Sequence, residues 1–281
     1  MEINKDIVCI MVTHNPPPTI YKLTEQISNI RILMIDSSDS DKYNSMKEHF
    51  KNKENVTLYH ENRDIGLSNA LNTGINMCQE MGFKYLLIME DDSYFQDNVN
   101  LINIVNNFSY SHNNDPVLYL SETDTNSADD FFPVNYYLGT NTGIVISFNL
   151  AHEISFRSDF FMDQVDIDFQ YNVRSHGHKI YLTKNGIIAR LPIGREERRG
   201  INTISIFRFY LLTRNTLRLF IENKISPVAL VYIPGYFFKG VVAGQNVKLL
   251  LKALFHGLHD GITNNLGITK TLKFFRPDLQ S

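Results

Sequence analysis

The most constraining feature of the sequence is an apolar run that leads directly into three acids. Residues 85–89 read YLLIM and are followed by Glu90, Asp91 and Asp92. An unbroken apolar run of this length favours a strand that is buried on both faces, as in a parallel sheet covered by helices. In open α/β sheets, ligands bind at the carboxyl ends of the strands. The pattern therefore predicts an oxygen-rich site for a hard divalent cation that holds a diphosphate. The alternative is a solvated acidic turn that caps the next helix.

Similar runs predict further strands of the same sheet. Residues 7–12, 32–35 and 56–60 are apolar or β-branched, and stretches with helical spacing lie between them. Strands that alternate with helices indicate an α/β fold.

Asp36 follows the second strand and is well placed to bond a ribose hydroxyl or a base edge, although Asp is also a common turn and N-cap residue. Gly66 opens a helix, where the backbone can approach phosphates. The sequence contains no GxGxxG and no GxxxxGK[ST] motif, which disfavours dinucleotide dehydrogenases and P-loop proteins.

The composition bears on the cellular compartment. The two cysteines, Cys9 and Cys78, lie in apolar surroundings and are predicted to be buried thiols without a disulfide framework. The first residues, MEINKD, carry charges where an export signal needs an apolar core. Both observations favour the cytosol.

The charges are divided unevenly along the chain. Residues 170–281 hold 17 Lys/Arg and 5 Asp/Glu, a net charge of +12, whereas residues 1–169 carry −15. Such a division suggests an anionic partner or surface for the basic part, with solvated helix faces as the alternative. Residues 247–258 place Val247 and Leu250 on one helical face and Lys248 and Lys252 on another. A basic amphipathic helix of this type either lies in a membrane interface or packs on the protein itself.

A second acidic set precedes another predicted helix. Asp163, Asp166 and Asp168 follow an aromatic pair, and helix capping alone can account for one or two of them. The set also leaves room for a catalytic base. In the helix predicted over residues 204–221, Tyr210 and Arg214 share a face. Arginines on that face can bind a diphosphate or a carboxylate. Alternatively, they can pack their stems on the helix and extend their charged ends into solvent.

Taken in order, seven segments resemble the glycosyltransferases of family 2, particularly their rhamnosyltransferase-like branch. The segments are IVCIMVTHNP, IDSSDSD, DIGLSNALNTGI, MEDDS, FFMDQVDIDF, FRFYLLTRNTLRLF and LLKALFHGLHDGITNNLG. The resemblance implies an α/β fold of the GT-A type, a Rossmann-like mixed sheet flanked by helices. It also implies a catalytic domain over residues 1–222 and a C-terminal amphipathic helical extension over residues 223–281 that associates with a membrane.

The resemblance further implies an inverting transfer of a sugar from a nucleotide-diphosphate donor to an acceptor hydroxyl, and the rhamnosyltransferase-like branch suggests rhamnose as that sugar. The acceptor would be a glycan or lipid-linked glycan in cell-surface polysaccharide assembly, on the cytoplasmic face of the membrane. Asp166 would be the catalytic base, and Glu90 and Asp92 would bind Mg²⁺ or Mn²⁺. The implied donor-binding residues are Thr13, Asn15, Asp36, Asp64, Gly66, Asn72, Asp91 and Arg190. The implied acceptor-binding or supporting residues are Thr142, Gly143, Asp168, Tyr210 and Arg214.

The segment IARLPIG departs from the family pattern, because Arg190 stands where the family often has a histidine. Arg190 can neutralise a leaving diphosphate, which would weaken the need for a metal ion. Two other functions stay open at this point: a sugar nucleotidyltransferase, which also places carboxylates at strand ends, and a non-catalytic membrane-surface scaffold that retains a degenerate GT-A fold.

Overall fold

The computed structural model describes residues 3–96, 99–112, 117–191 and 196–280. The chain forms two compact units. The first comprises Met1–Phe156 and Phe169–Leu191, and the second comprises Arg157–Asp168 and Pro192–Ser281. Each unit is built around its own cluster of buried apolar residues.

The first unit is an α/β layer structure. Its strands are β1 (Asn4–Thr13), β2 (Ile30–Asp36), β3 (Val56–His60), β4 (Tyr85–Glu90), β5 (Ser93–Phe95), β6 (Val117–Ser121), β7 (Phe131–Pro133), β8 (Ile144–Ser147), β9 (Ile180–Gly186) and β10 (Ile188–Arg190). Its helices are α1 (Thr19–Gln26), α2 (Ser40–Phe50), α3 (Leu67–Cys78), α4 (Leu101–Ser111), α5 (Phe148–Glu153) and α6 (Val165–Ser175), the last of which begins in the second unit.

Eight of these strands form one mixed sheet in the order β3-β2-β1-β4-β8-β6-β9-β7. The pairs β2–β3, β1–β2, β1–β4 and β6–β9 are parallel, and β8 and β7 run antiparallel to their neighbours. The register sets Thr13 beside Asp36 and Val12 beside Glu90. The carboxyl ends of β2, β1 and β4 therefore meet at one edge of the sheet, where the sequence predicted ligand binding.

One stretch that reads as a polar loop contains a strand. Residues 122–135 are mostly polar and acidic, but β7 lies within them and pairs with β9. The physical reason is the aromatic side chain of Phe131, whose ring lies 5.4 Å from that of Phe108 and packs against the apolar core.

The second unit is mainly helical. Its elements are β11 (Glu196–Arg198), β12 (Ile201–Thr203), α7 (Ile206–Ile221), a 3₁₀ segment (Pro227–Val231), α8 (Tyr232–Val242), α9 (Val247–Ile262), α10 (Lys270–Phe275) and a second 3₁₀ segment (Pro277–Gln280). None of the helices within the described residues combines the length and the apolar character that crossing a bilayer requires.

Helix α9 packs on α7 through small residues. A Cβ added at Gly257 would lie 2.8 Å from the Cβ of Thr213, and one added at Gly261 would lie 2.7 Å from the carbonyl oxygen of Arg214. This close contact joins two helices of the second compact unit. It also leaves Phe255 exposed, because the buried face of α9 is the small-residue face.

Candidate active site

The strand-end cluster consists of Glu90, Asp91, Asp92, Glu122 and Arg190. Glu90 ends β4, and Asp91 and Asp92 form the turn into β5. β10 pairs antiparallel with β5 and sets Arg190 beside Ser93, which carries the guanidinium to acids far away in the sequence. Its Nη2 donates to Glu90 Oε2 at 2.6 Å, while its Nε lies 3.6 Å from Glu122 Oε1 and 3.9 Å from Asp92 Oδ1.

The cluster holds four carboxylates and one guanidinium, so negative charge is in excess. Burial, followed by the charges of Asp92 and Glu90, raises the pKa of Asp91 to about 7, although the backbone N–H of His14 acts in the opposite direction. Burial also raises the pKa of Asp92, and this effect outweighs the lowering by Arg190. A divalent cation would relieve this crowding of like charges.

The chemistry of these side chains fits a hard divalent cation, because carboxylate oxygens are the ligands that Mg²⁺ and Mn²⁺ prefer. Glu90, Asp91 and Asp92 are the residues that would hold it. Within the described residues, however, no three His, Cys, Asp or Glu side chains are arranged as a ready-made metal site. Glu90 is instead bonded to Arg190.

Asp36 is completely buried and holds the loops that follow β1 and β2. Its carboxylate accepts hydrogen bonds from the hydroxyls of Thr13 at 2.8 Å and Ser38 at 2.5 Å, and it lies 2.9 Å from Nδ1 of His60. Thr13 is buried as well. Asp36 and Thr13 are therefore buried at this edge of the sheet, where they fix the loops that follow β1 and β2.

Asn15 is exposed at the same edge and adopts a left-handed conformation with φ of 51°, which Asn tolerates better than most residues. Its backbone N–H donates to the hydroxyl of Ser38 at 2.7 Å, and its side-chain amide donates to Asp39 at 3.1 Å. The loop after β1 is thus fixed to the loop after β2, and the Asn15 side chain stays at the surface.

Thr142 and Gly143 support the cluster from the loop before β8. Thr142 is buried, and its hydroxyl accepts a hydrogen bond from the backbone N–H of Glu90 at 3.1 Å. Gly143 has φ of +69°, and a Cβ at this position would lie 2.0 Å from Cδ1 of Ile188. A larger residue there would displace β10 and with it Arg190.

The turn that opens α3 is held by its own side chains. Asp64 Oδ1 accepts a hydrogen bond from the backbone N–H of Gly66 at 2.9 Å, and Gly66 has φ of 82°. Asn72 forms two hydrogen bonds with the backbone of Phe156, at 2.7 and 2.9 Å. Asn72 therefore anchors α3, whereas Asp64 is half-buried at the turn.

In the second unit, Asp166 and Asp168 lie in the first turn of α6 rather than ahead of it. Asp168 is buried and accepts a hydrogen bond from Lys224 Nζ at 2.7 Å, and Arg157 Nη1 lies 3.6 Å away. Asp166 is 8% exposed. Asp168 is therefore held by two cations of its own unit.

Tyr210 and Arg214 are fully buried in the second unit. The hydroxyl of Tyr210 donates to Asp260 at 2.7 Å, and its ring stacks on Phe275 at 5.1 Å. Arg214 donates to the carbonyl oxygen of Gly267 at 3.1 Å. Both side chains hold the helices of this unit together.

Three contributors to the strand-end cluster were missed by sequence reasoning: His14, Glu122 and Thr140. The hydroxyl of Thr140 lies 2.6 Å from Nη2 of Arg190. Glu122 and Thr140 lie in polar stretches without periodicity, so no sequence signal separates them from loop residues. His14 acts through its backbone N–H, which any residue except proline supplies.

The eight-stranded mixed sheet flanked by helices matches the fold of the GT-A glycosyltransferases that this chain resembles in structure. The sequence model described as glycosyl transferase family 2 matches residues 8–161. The chain belongs to this family and is a glycosyltransferase. Among curated proteins, none matches the sequence significantly.

Two solved structures illustrate the similarity of fold. S. aureus TarS 1-349 in complex with UDP-GlcNAc has a TM-score of 0.60 at 15% sequence identity, covering 98% of this chain and 88% of that chain. The mannosyltransferase PcManGT from Pyrobaculum calidifontis, in complex with GDP-Man and Mn²⁺, has a TM-score of 0.58 at 12% identity, covering 92% of this chain and 87% of that chain.

Proposed function

We propose that the chain transfers a sugar from a nucleotide-diphosphate donor to an acceptor hydroxyl with inversion at the anomeric carbon. The observation that carries the proposal is the strand-end cluster, which gathers carboxylates and a guanidinium at the carboxyl ends of parallel strands in a family 2 glycosyltransferase. Two structures of similar fold were determined with nucleotide sugars, UDP-GlcNAc and GDP-Man. Rhamnose is the donor sugar proposed from the sequence branch.

The donor's diphosphate binds at the cluster, where Arg190 contributes positive charge and Asn15 and Asp64 line the neighbouring loops. Glu90, Asp91 and Asp92 would hold Mg²⁺ or Mn²⁺, which stabilises negative charge on the leaving diphosphate. Thr13 and Asp36 keep the loop after β1 in place for the nucleotide.

In the transfer step, the acceptor oxygen forms a bond to the anomeric carbon while the bond from that carbon to the diphosphate oxygen breaks. Asp166 takes the proton from the acceptor hydroxyl, and the nucleoside diphosphate leaves with the electron pair of the broken bond. Asp168 acts as a positioning residue, because its pairing with Lys224 fixes the first turn of the helix that carries Asp166.

A thermal-shift panel of sugar nucleotides, each with and without Mn²⁺, tests the donor. A ligand that binds only the folded protein raises its melting temperature. Stabilisation by one nucleotide sugar, followed by transfer to an acceptor, supports the proposal and identifies the sugar. If no nucleotide sugar stabilises the protein, the proposal is wrong.

Asp166→Asn and Asp168→Asn separate catalysis from support. Asp166→Asn should lower kcat by about 10²–10⁴ while donor affinity and melting temperature stay close to those of the wild type. Asp168→Asn should instead lower the melting temperature, because it leaves Lys224 with a weaker partner. A near-normal kcat in Asp166→Asn would exclude Asp166 as the base.

We further propose that the second unit binds an anionic membrane surface, which would bring a lipid-linked glycan acceptor of polysaccharide assembly to the enzyme. The basic–apolar face of α9 carries Lys248, Leu251, Lys252, Phe255 and Ile262, all of them exposed. Phe255 and Ile262 are 65% and 63% exposed. Exposed apolar side chains among lysines match the acyl boundary and the anionic headgroups of a bilayer.

Flotation with vesicles tests this surface. Wild-type protein should float with phosphatidylserine-containing vesicles, and the double variant Lys248→Glu/Lys252→Glu should not. The control Lys51→Glu/Lys53→Glu changes two exposed lysines of the first unit by the same charge and should float normally. A truncation after residue 222 is less informative, since α9 packs on α7. Equal flotation of both double variants, or none by the wild type, would reject the membrane proposal.

A further inference from the structure

The backbone around Arg190 is hydrogen-bonded to β5 and to Asp92, close to acids that its side chain contacts. β10 pairs with β5, and the next residue, Leu191, donates its backbone N–H to the carbonyl oxygen of Asp92 at 2.9 Å. This pairing places the backbone of Arg190 beside the segment that carries the acids at the end of β4. Its two observed hydrogen bonds both come from Nη2, one to Glu90 and one to Thr140.

The rest of the guanidinium is less firmly held. Nε is buried, yet it makes no hydrogen bond within the described residues. It faces Glu122 Oε1 at 3.6 Å and Asp92 Oδ1 at 3.9 Å, and the Arg190 side chain keeps 26% of its surface exposed. The guanidinium therefore keeps donor capacity that its hydrogen bonds to Glu90 and Thr140 do not use.

The charges make Arg190 and a divalent cation competitors. The carboxylate of Glu90 is engaged by a guanidinium 2.6 Å away, and a metal ion at the same carboxylate would be repelled by that positive charge. A nucleotide diphosphate changes the balance, since its oxygens suit the donor fork of arginine better than a single carboxylate oxygen does.

We propose that Arg190 is a displaceable counter-ion of the strand-end cluster. In the nucleotide-free protein it holds Glu90 and keeps the affinity for a divalent cation low. When a nucleotide diphosphate binds, the guanidinium turns from Glu90 to the diphosphate and frees Glu90 for the cation. This inference rests on the proposed donor site, and it assigns to that site an order of binding in which the metal follows or accompanies the nucleotide.

The experiment measures free Mn²⁺ by electron paramagnetic resonance during titration of nucleotide-free wild-type protein, Arg190→Gln and Arg190→Lys. Arg190→Gln should bind Mn²⁺ about tenfold more tightly than the wild type, because the competing charge is removed. Arg190→Lys keeps the charge and should stay near the wild type. The control Arg31→Gln removes one charge at the amino end of β2, away from the cluster, and should leave Mn²⁺ affinity unchanged.

A second arm measures the affinities for UDP, GDP and dTDP by calorimetry at saturating Mn²⁺. The nucleotide that binds the wild type should bind Arg190→Gln about tenfold more weakly, since the fork that would hold its diphosphate is lost. The two affinities therefore move in opposite directions in one variant, which a purely structural role of Arg190 does not produce. Circular dichroism checks that the variants are folded.

Mn²⁺ affinity that is equal in the wild type and Arg190→Gln would overturn the inference, as would a loss of both affinities in a folded variant. Failure of the proposed function gives a different result. No nucleotide would bind the wild type, while the nucleotide-free Mn²⁺ titrations would still report whether Arg190 competes with the metal.

Discussion

The strand-end cluster and a second charged region, the Glu222 network, contain the same kinds of side chain in different proportions. The Glu222 network lies in the second unit and consists of Arg157, Asp159, Asp168, Arg218, Glu222 and Lys224. Its three acids face three cations, with contacts such as Arg157 Nη1 to Glu222 Oε2 at 2.6 Å. In the strand-end cluster, one arginine faces Glu90, Asp92 and Glu122, and Asp91 adds a fourth acid.

The pKa of Glu222 in the network and the pKa values of Asp91 and Asp92 in the cluster shift in opposite directions. Burial on its own would raise the pKa of Glu222, but hydrogen bonds from Arg157 and Arg218 outweigh it and lower the pKa. In the strand-end cluster, burial and like charges together raise the pKa of Asp91 to about 7. Paired opposite charges stabilise the folded chain. An excess of one charge is tolerated where a ligand of opposite charge binds, as is common at functional sites.

The largest expected effect comes from Asp92→Asn. Turnover should fall by about 10²–10³ because a charge that we propose to hold the diphosphate and its cation is lost. The free energy of unfolding should stay the same or rise by up to about 1 kcal/mol, because the substitution removes repulsion among crowded carboxylates. Transfer kinetics and urea unfolding measure the two quantities. Asp129→Asn, at an exposed position, is the control, and a marked loss of stability in Asp92→Asn would remove the distinction between the two regions.

Glu222→Gln should have the reverse pattern. The free energy of unfolding should fall by about 1–3 kcal/mol, because Arg157 and Arg218 lose their shared carboxylate in a half-buried setting. Turnover per folded molecule should stay within about twofold of the wild type. Urea unfolding is compared with that of Glu54→Gln, an exposed control. Unchanged stability would show that matched pairing contributes nothing here.

Much of the fold follows from local sequence patterns. The strand predicted over residues 56–60 coincides with β3, and the apolar run 85–89 forms most of β4. The apolar run of each strand and the polar residues that follow it are enough to predict such elements. The packing of α9 was only partly predictable, because Leu250 of its apolar face is buried while Val247 of the same face is 44% exposed. Gly257 and Gly261 instead allow a close approach to α7 that only the partner helix reveals.

The acids of the candidate site were predictable from the sequence, but their pairing with Arg190 was less so. Glu90, Asp91 and Asp92 stand together in the sequence, so their joint position follows from the strand that ends there. Their contact with Arg190 depends on β10 pairing with β5, which brings the guanidinium across a separation of 100 residues. The expectation that Asp36 binds the nucleotide stays a prediction, and its burial beneath Thr13 and Ser38 favours an indirect role.

Acid titration sharpens the comparison through a smaller effect. The folded-state pKa of Glu222 lies below its ordinary value of 4.5, so its stabilising contribution is complete above pH 4.5 and is lost as the pH falls through the lowered value. The difference in unfolding free energy between the wild type and Glu222→Gln should therefore shrink below pH 4.5. Urea unfolding from pH 6 to pH 3 measures it. A difference that is constant with pH would show that the carboxylate charge is not what stabilises the network.

The smallest expected effect is that of salt, and it should have opposite signs in the two regions. Raising ionic strength from about 0.05 to 0.5 M shortens the Debye length several-fold and weakens attraction and repulsion alike. The stability lost in Glu222→Gln should decrease by a few tenths of a kcal/mol, because salt weakens an attraction that the wild type has and the variant lacks. Any stability gained in Asp92→Asn should decrease as well, because salt already relieves the repulsion that the substitution removes. Both variants therefore approach the wild type from opposite sides. If both moved in the same direction on the stability scale, charge balance would not be what distinguishes the cluster from the network.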